Sequence, residues 1–573
     1  LIRTVPIIVA LFGFTWTFQN NTRPISPQAA YAQHPRTDGY FTKQPGLLPV
    51  YRRIADTLGA SGCSQVGLII GGDTWEYPLW MLLRERHYFG ALHHIRVQDP
   101  SRVYERTDVH PCAVIAKRRR SGYTNWIDHY LDGSAGQFYL YMDPATAPAP
   151  VDAPAGVTVS SAVDVGVLLG TGWYDFEPEG NVRWMQGHGR LWLYAETATG
   201  AVLQLRPYRM HDDGSFGVSG EMLVTLNEQQ LARLTMTADS PVSLALPLAP
   251  GFNRLDLRLA AGDFVPAESD PDNGDRRRLG IAFYPLTLMA PHEASRPAGF
   301  HLSSGLHVLP GTGWYDFEPG WNVRWMQADS DLWVYAEEAT GAVLQLRPHV
   351  MHVDQTFGTM GQMTVTLNAT ERDVITTTTG ITNVIPLQLE AGWNRVALAF
   401  GAGDFVPAAT VPPLNSDERH LAIAFAPMVM TTVADMVQPA GFEVPADVRV
   451  LPGAGWYDFE PGWNVRWMQE RGELWIYTPD ATAGRLTVQP HVMHVDQTFG
   501  SSGVVRVTIN QTFGGEWGME AGVRRAIPVH LNRGWNKVVL EFLGGTFRPE
   551  GDGRSLGIAF YPIEITTAAS GGR

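Results

Sequence analysis

The spacing of hydrophobic positions divides this chain into four stretches. Residues 4–18 (TVPIIVALFGFTWTF) form an apolar run of about 15 residues, short of the roughly 20 that a helix needs to span a bilayer. Residues 20–45 are polar and carry Pro24, Pro27, Pro35 and Pro45, the composition of an extended connector. From 46 to 145 the pattern alternates. Leu48, Tyr51, Ile54 and Leu58 share one face of a helix over 47–60, which Gly59 and Gly62 end. The apolar run 65–70 reads as a buried strand, 76–86 as a second amphipathic helix, and 92–97, 113–116 and 137–142 as further strands. Helices alternating with buried strands predict a small α/β domain over 46–145.

Beyond 160 the pattern is strand-like only, and it repeats. Gly-Trp-Tyr-Asp-Phe-Glu-Pro starts at Gly172, Gly313 and Gly455, a spacing of 141 and 142 residues. Such a period is one whole domain, not a solenoid repeat. In the second copy, short apolar runs at 332–335, 343–347, 363–367, 385–389, 394–400 and 421–425 alternate with Gly, Asn and Pro. Turns such as Leu367-Asn368-Ala369 and Ile509-Asn510-Gln511 suit hairpins. The expectation is three tandem all-β jelly-roll sandwiches over 161–290, 300–432 and 443–568. Pro/Ala-rich joints over 145–155, 291–300 and 434–446 would separate the domains.

Composition narrows the function classes. A hydrophobic content of 45% suits packed domains. A net charge of −14 gives no electrostatic footprint for nucleic acid, and the basic run 117–120 reads as a solvated loop. Two readings fit residues 1–19: a signal peptide with Ala30-Tyr31-Ala32 as its cleavage site, or the end of a transmembrane helix or signal anchor. The long gap to Ala30 and the intervening Arg23 favour the second, as does a chain that begins with Leu1. Either places residues from about 20 onward outside the cytoplasm, and the second also tethers the chain at the cell membrane. Export in turn favours a disulfide between Cys63 and Cys112 over two buried free thiols.

Gly71-Gly72-Asp73 lacks the spacing of a nucleotide-binding loop and reads as a tight strand-to-helix turn, with Asp73 or Thr74 as N-cap. Asn21-Thr22-Arg23-Pro24, the helix before Cys63, and Val66-Gly67-Leu68 through Asp73-Thr74-Trp75-Glu76-Tyr77-Pro78-Leu79-Trp80 resemble the tail of a polytopic membrane glycosyltransferase. The family is the one related to protein mannosyltransferases, which takes sugars from polyprenyl-phosphate donors. The resemblance covers residues 1–145 and implies an α/β domain after the last membrane helix. It implies a lipid-phosphate sugar donor for the parent protein only. The family's catalytic carboxylate lies in an early outer loop that has no match here, so no catalytic residue carries over. The repeated modules resemble β-sandwich units appended to bacterial glycosyltransferases. That likeness rests on Gly-Trp-Tyr…Glu…Arg-Trp and on Asp-x-Arg-x-Leu at Asp275/Arg277/Leu279, Asp417/Arg419/Leu421 and Asp552/Arg554/Leu556. It implies carbohydrate binding or a spacer role.

Three polar sets recur. Asp175/Glu177, Asp316/Glu318 and Asp458/Glu460 are paired carboxylates, as glycoside hydrolysis uses. Three tandem copies are more than a hydrolase needs, and pairing of each Glu with Arg183, Arg324 or Arg466 accounts for them equally. His211/Asp213, His352/Asp354 and His494/Asp496 could hydrogen-bond a sugar. Two ligands per copy fall short of a zinc or calcium site, so no metal is expected. The competing reading is a turn whose Asp bonds the local backbone. Finally, Trp321 and Trp463 occupy a turn where the first copy has none. A buried Trp would cost about 3–5 kcal/mol to lose, so these two suit a partly exposed sugar platform or a contact between copies. The expected function is the extracytoplasmic part of a membrane glycosyltransferase whose modules hold a polysaccharide acceptor. The alternative is a cell-surface adhesion or spacer protein, with a secreted glycosidase a third reading.

Overall fold

The computed structural model describes residues 5–19, 36–41, 44–71, 76–118, 120, 122–123, 125–131, 138–212, 214–270, 272–353, 356–410, 413–495 and 498–568. Most of the expected connector, and Gly72, Asp73 and Thr74 of the strand-to-helix turn, lie outside them. The chain folds as two compact units, Leu1–Ala294 and Ser295–Arg573.

In the first unit, the apolar run forms helix α1 (Val5–Gln19) of 15 residues, about 22 Å at 1.5 Å per residue. No helix among the described residues is long and apolar enough to cross a membrane. The α/β domain follows, with helices α2 (Leu47–Ala60) and α3 (Glu76–Glu85). Its strands are β1 (Gln65–Ile69), β2 (Ala91–His94), β3 (Ala113–Ala116), β4 (Ile127–Leu131) and β5 (Phe138–Met142), in the order β2-β1-β3-β5-β4. The first three are parallel; β5 and β4 add antiparallel. β2 ends earlier than its apolar pattern suggests, because Arg96 takes a left-handed φ of 56°. β4 escapes an apolar-run reading because Asp128 and His129 interrupt it. A disulfide joins Cys63 to Cys112, tying the segments that enter β1 and β3.

Asp128 is buried because the first module docks on it. Trp192 Nε1 donates to Asp128 Oδ1 at 2.9 Å, and Arg190 Nη1 lies 3.3 Å from the same oxygen. Arg190 Nε reaches Asp256 at 2.8 Å. Trp192 belongs to the α/β core, with Leu168 and Phe252 packed beside it. The domain and its first module therefore share one apolar core.

Each module has the same three sheets. In the first, a five-stranded sheet runs Gln229–Thr237, Ser219–Leu226, Gly251–Leu259, His188–Ala195, Val165–Leu169. A four-stranded sheet runs Val242–Leu248, Thr199–Leu205, Leu286–Met289, Val157–Val159. A small sheet runs Ser215–Gly217, Pro207–Asp212, Ile281–Phe283, Val182–Met185, Trp173–Glu177. In the second module Leu332, Val334, Val365 and Leu398 of the large sheet pack against Leu344, Leu387 and Met430 of the four-stranded sheet. Met326, Ile423 and Phe425 of the small sheet close the end of that core. The modules are β-sandwiches, as their short alternating runs predict.

A buried asparagine locks each sandwich. Asn253, Asn394 and Asn536 have no exposed surface. In the third module Asn536 Nδ2 donates to the carbonyls of Asn532 (2.8 Å) and Gly534 (3.0 Å), and its Oδ1 accepts from Asn532 N at 2.7 Å. Asn510 Nδ2, from a neighbouring hairpin, donates to the same Oδ1 at 2.8 Å. That hairpin needs left-handed φ at two successive residues, Asn510 (47°) and Gln511 (67°), the geometry of a type I′ turn. The two Asn motifs of the sequence thus meet in one knot. Asn536→Ala leaves several buried groups unpaired and should cost about 3 kcal/mol. Differential scanning calorimetry of the full chain should show one transition lowered by roughly 10 °C. A shift under about 2 °C would remove the knot from the account of stability.

Candidate functional site

The ends of the module's two sequence signatures meet on the outer side of the small sheet. Arg277 Nη1 donates to Glu177 Oε1 at 2.7 Å and its Nη2 to Asp275 Oδ2 at 2.8 Å. Arg419 joins Glu318 to Asp417, and Arg554 joins Glu460 to Asp552, in the same geometry. Each guanidinium also lies over a tyrosine ring: Tyr174, Tyr315 or Tyr457. The sequence suggested Arg183, Arg324 and Arg466 as the partners of these glutamates; the structure corrects this. Those arginines are buried and serve backbone carbonyls, Arg324 those of Tyr315 (2.6 Å) and Ala298 (3.0 Å). The glutamates are halves of a clasp between the start and the end of the module.

The histidines sit inside the module. His211, His352 and His494 are only 8%, 1% and 6% exposed. Their rings stack on Phe264, Phe405 and Phe547 at 4.7, 4.2 and 4.9 Å. His211 Nε2 accepts from Gly214 N at 2.8 Å, and His352 Nδ1 lies 3.1 Å from the Thr356 carbonyl. Rings so placed offer no open face to a ligand in solution; they pack a small aromatic cluster on the face of the small sheet away from the sandwich core. Asp213, Asp354 and Asp496 lie outside the described residues.

The tryptophans stand in solvent. Trp321 is 74% exposed and Trp463 is 70% exposed. Each follows Pro-Gly in a tight turn. Trp321 N donates to the Glu318 carbonyl at 3.2 Å, and Trp463 N to the Glu460 carbonyl at 3.2 Å. The turn is completed by Asn322 and Asn464 at φ 55° and 54°. The clasp fixes Glu318 and Glu460, so it also fixes the root of each indole. In the third module the Trp463 ring lies 6.4 Å from His491, whose Nδ1 is 2.9 Å from Tyr561 Oη. The second module keeps an exposed His349 but has Ala426 in place of that tyrosine. The first module has no tryptophan there. Its equivalent surface is Tyr208 and Tyr284, with Arg209 and Arg206 lying over their rings. Sequence reasoning missed His491 and Tyr561, although the shared Pro-His-Val of the later copies marks the position.

The clasp has a pH signature. Hydrogen bonding from Arg419 holds the Asp417 carboxyl below the usual carboxylate range, and Arg554 does the same for Asp552. A lowered folded pKa adds stability above the unfolded value, near 3.9, and loses it as pH falls through the folded value. Thermal unfolding of wild type and Arg419→Met across pH 2.5–7 should therefore show a wild-type advantage that is constant above pH 5 and shrinks below pH 4. An advantage unchanged at pH 2.5 would show that the clasp acts by packing alone.

No protein-family model matches the chain. No curated protein matches it either. Among solved structures it is similar to a family 35 carbohydrate binding module from Clostridium thermocellum, at 12% identity over 23% of this chain and 98% of that one, with a TM-score of 0.16. It is also similar to the tandem CBM51 modules of a family 98 glycoside hydrolase from Streptococcus pneumoniae, at 9% identity over 43% of this chain and 84% of that one, with a TM-score of 0.15. A third similarity is to the tandem CBM22 domain of Xyn10C from Paenibacillus barcinonensis, at 9% identity over 46% of this chain and 92% of that one, with a TM-score of 0.12.

Proposed function

We propose that this chain binds carbohydrate, and that its second and third modules do so through Trp321 and Trp463. The observation that carries the reading is an indole left in water at 74% and 70% exposure on a turn that the fold otherwise holds rigidly. An exposed ring gains by covering its face. A pyranose C–H face hiding about 80 Å² of apolar surface contributes ~2 kcal/mol. His491 and Tyr561 supply hydrogen-bonding groups beside the third platform. The first module lacks the indole, and arginines already cover its tyrosines, so its contribution is the smallest. Two weak sites on one chain reinforce each other through effective concentration when a polysaccharide spans both.

The finer reading is that these modules hold a polysaccharide acceptor for a membrane glycosyltransferase fed by a polyprenyl-phosphate sugar. Its support is the resemblance of residues 1–145 to that family's tail and a disulfide of the kind kept outside reducing compartments. The partners would be a cell-surface glycan and, through the N-terminal segment, the membrane.

Native affinity gels containing mannan, β-glucan or galactan test the first reading. At least one polysaccharide should retard the full chain. Trp321→Ala or Trp463→Ala should weaken retardation about 10-fold, and the double variant should abolish it with its unfolding temperature unchanged. A double variant retarded like wild type, or a wild type retarded by none, overturns the proposal. The finer reading is tested by the coding sequence upstream of Leu1. Many apolar spans with an acidic residue in the first outer loop uphold it, and a start codon just ahead of Leu1 removes it.

A further inference from the structure

The α/β domain holds a cleft of about 810 Å³ at the carboxyl ends of β1 and β2, a volume typical of small-molecule sites. Its position follows from topology. The chain leaves β1 for β2 on one side and then crosses to β3 on the other, giving the order β2-β1-β3. Where successive parallel strands lie on opposite sides of a first one, the connecting loops part and leave a crevice at the carboxyl edge. Arg120, in the segment after β3, reaches the same cleft.

The polar inventory of the walls decides what fits. The lining carboxylates are engaged by the protein itself. Glu76 lies 3.1 Å from His94 Nε2 and accepts from Trp80 Nε1 at 3.3 Å. Asp99 accepts from Ser101 N at 2.7 Å. Glu105 accepts the backbone N–H groups of Arg96 and Val97. Arg106 is held by Asp108 at 2.6 Å. The guanidinium of Arg120 differs: its Nε is buried with no hydrogen-bond partner among the described residues, while its backbone N is pinned by Tyr141 Oη at 2.9 Å. His93 lines the same wall, with Leu92, Ile95 and Val97 as apolar neighbours. Glu76, Asp99 and Glu105 are tied to the wall, Asp99 and Glu105 by backbone N–H groups that leave their charge in place, whereas no described carboxylate holds the Arg120 guanidinium; beside Arg120 the cleft suits a ligand that brings acceptor oxygens and negative charge.

We propose that this cleft binds an organic phosphate, with the phosphoryl oxygens on Arg120 and His93 and the organic part along Ile95 and Val97. A guanidinium that no described carboxylate holds suits phosphate oxygens through its terminal N–H groups, its Nε being buried out of reach of the cleft, and the volume exceeds what an inorganic ion would fill. The phosphate could belong to a soluble sugar phosphate or to a lipid headgroup. Titrate the full, disulfide-bonded chain with glucose 1-phosphate, with glucose, and with vesicles of phosphatidylcholine containing phosphatidic acid. Follow the phosphorus resonance of glucose 1-phosphate and co-sedimentation with vesicles. Saturable binding of glucose 1-phosphate at least 10-fold tighter than glucose, lost 10-fold or more in Arg120→Gln and partly kept in Arg120→Lys, supports a soluble ligand. Sedimentation with phosphatidic acid vesicles that Arg120→Gln abolishes supports a lipid headgroup. Binding of neither, or binding indifferent to Arg120→Gln while circular dichroism shows that variant folded, overturns the proposal.

Discussion

Arg419 reaches Glu318 across 101 residues of sequence, and Asp417 holds the other side of its guanidinium. Glu318 is also the residue whose carbonyl starts the turn that carries Trp321. One cation therefore fixes the late loop of the module, its first hairpin and the exposed indole in a single arrangement. Half-exposed ion pairs add little stability one at a time. A bidentate contact shared by two carboxylates has value in geometry: it limits where the hairpin tip can stand. Repetition of the same contact in all three modules, at Arg277, Arg419 and Arg554, explains why Glu and Arg keep their places at the two ends of each copy.

Around that constant frame the outer surface of the small sheet varies. The buried members are near copies: Trp184, Trp325 and Trp467, with a histidine stacked on phenylalanine in each. The solvent-facing members differ. One module presents two tyrosines under arginines, one a tryptophan with a histidine, and one a tryptophan, a histidine and a tyrosine. The scaffold is constant and the rim changes from copy to copy.

Much of this was legible in the residues. The repeated phrase gave one module in three copies, short alternating runs gave sandwiches, and Asn-containing turns gave hairpins with two left-handed residues. The chemistry of the polar sets was harder to read. Residues two apart on a strand normally share a face, but Phe264 covers the outer face of the small sheet at His211, so Met210 and His211 are both buried and alternation carries no signal there. Arg183 looked like the partner of Glu177 because it is near in sequence. Its strand turns it inward to the carbonyls of Tyr174 and Ala155, and the true partner lies 100 residues away. The strand holding Asp128 was invisible because its polar residues are buried only by a neighbouring module that local pattern does not encode.

That junction has a consequence for how such a chain can be rearranged. The position that Arg190 occupies in the first module is Asp331 in the second and Glu473 in the third, each neutralised within its own module by Arg395 or Lys537. Asp128 accepts the first module because it meets a cation. Moving the second or third copy into first place would take away the cation that Asp128 meets and put there a carboxylate already paired within its own module, leaving the buried Asp128 charge uncompensated. The copies look interchangeable by their motifs, yet a single side chain in each forbids shuffling.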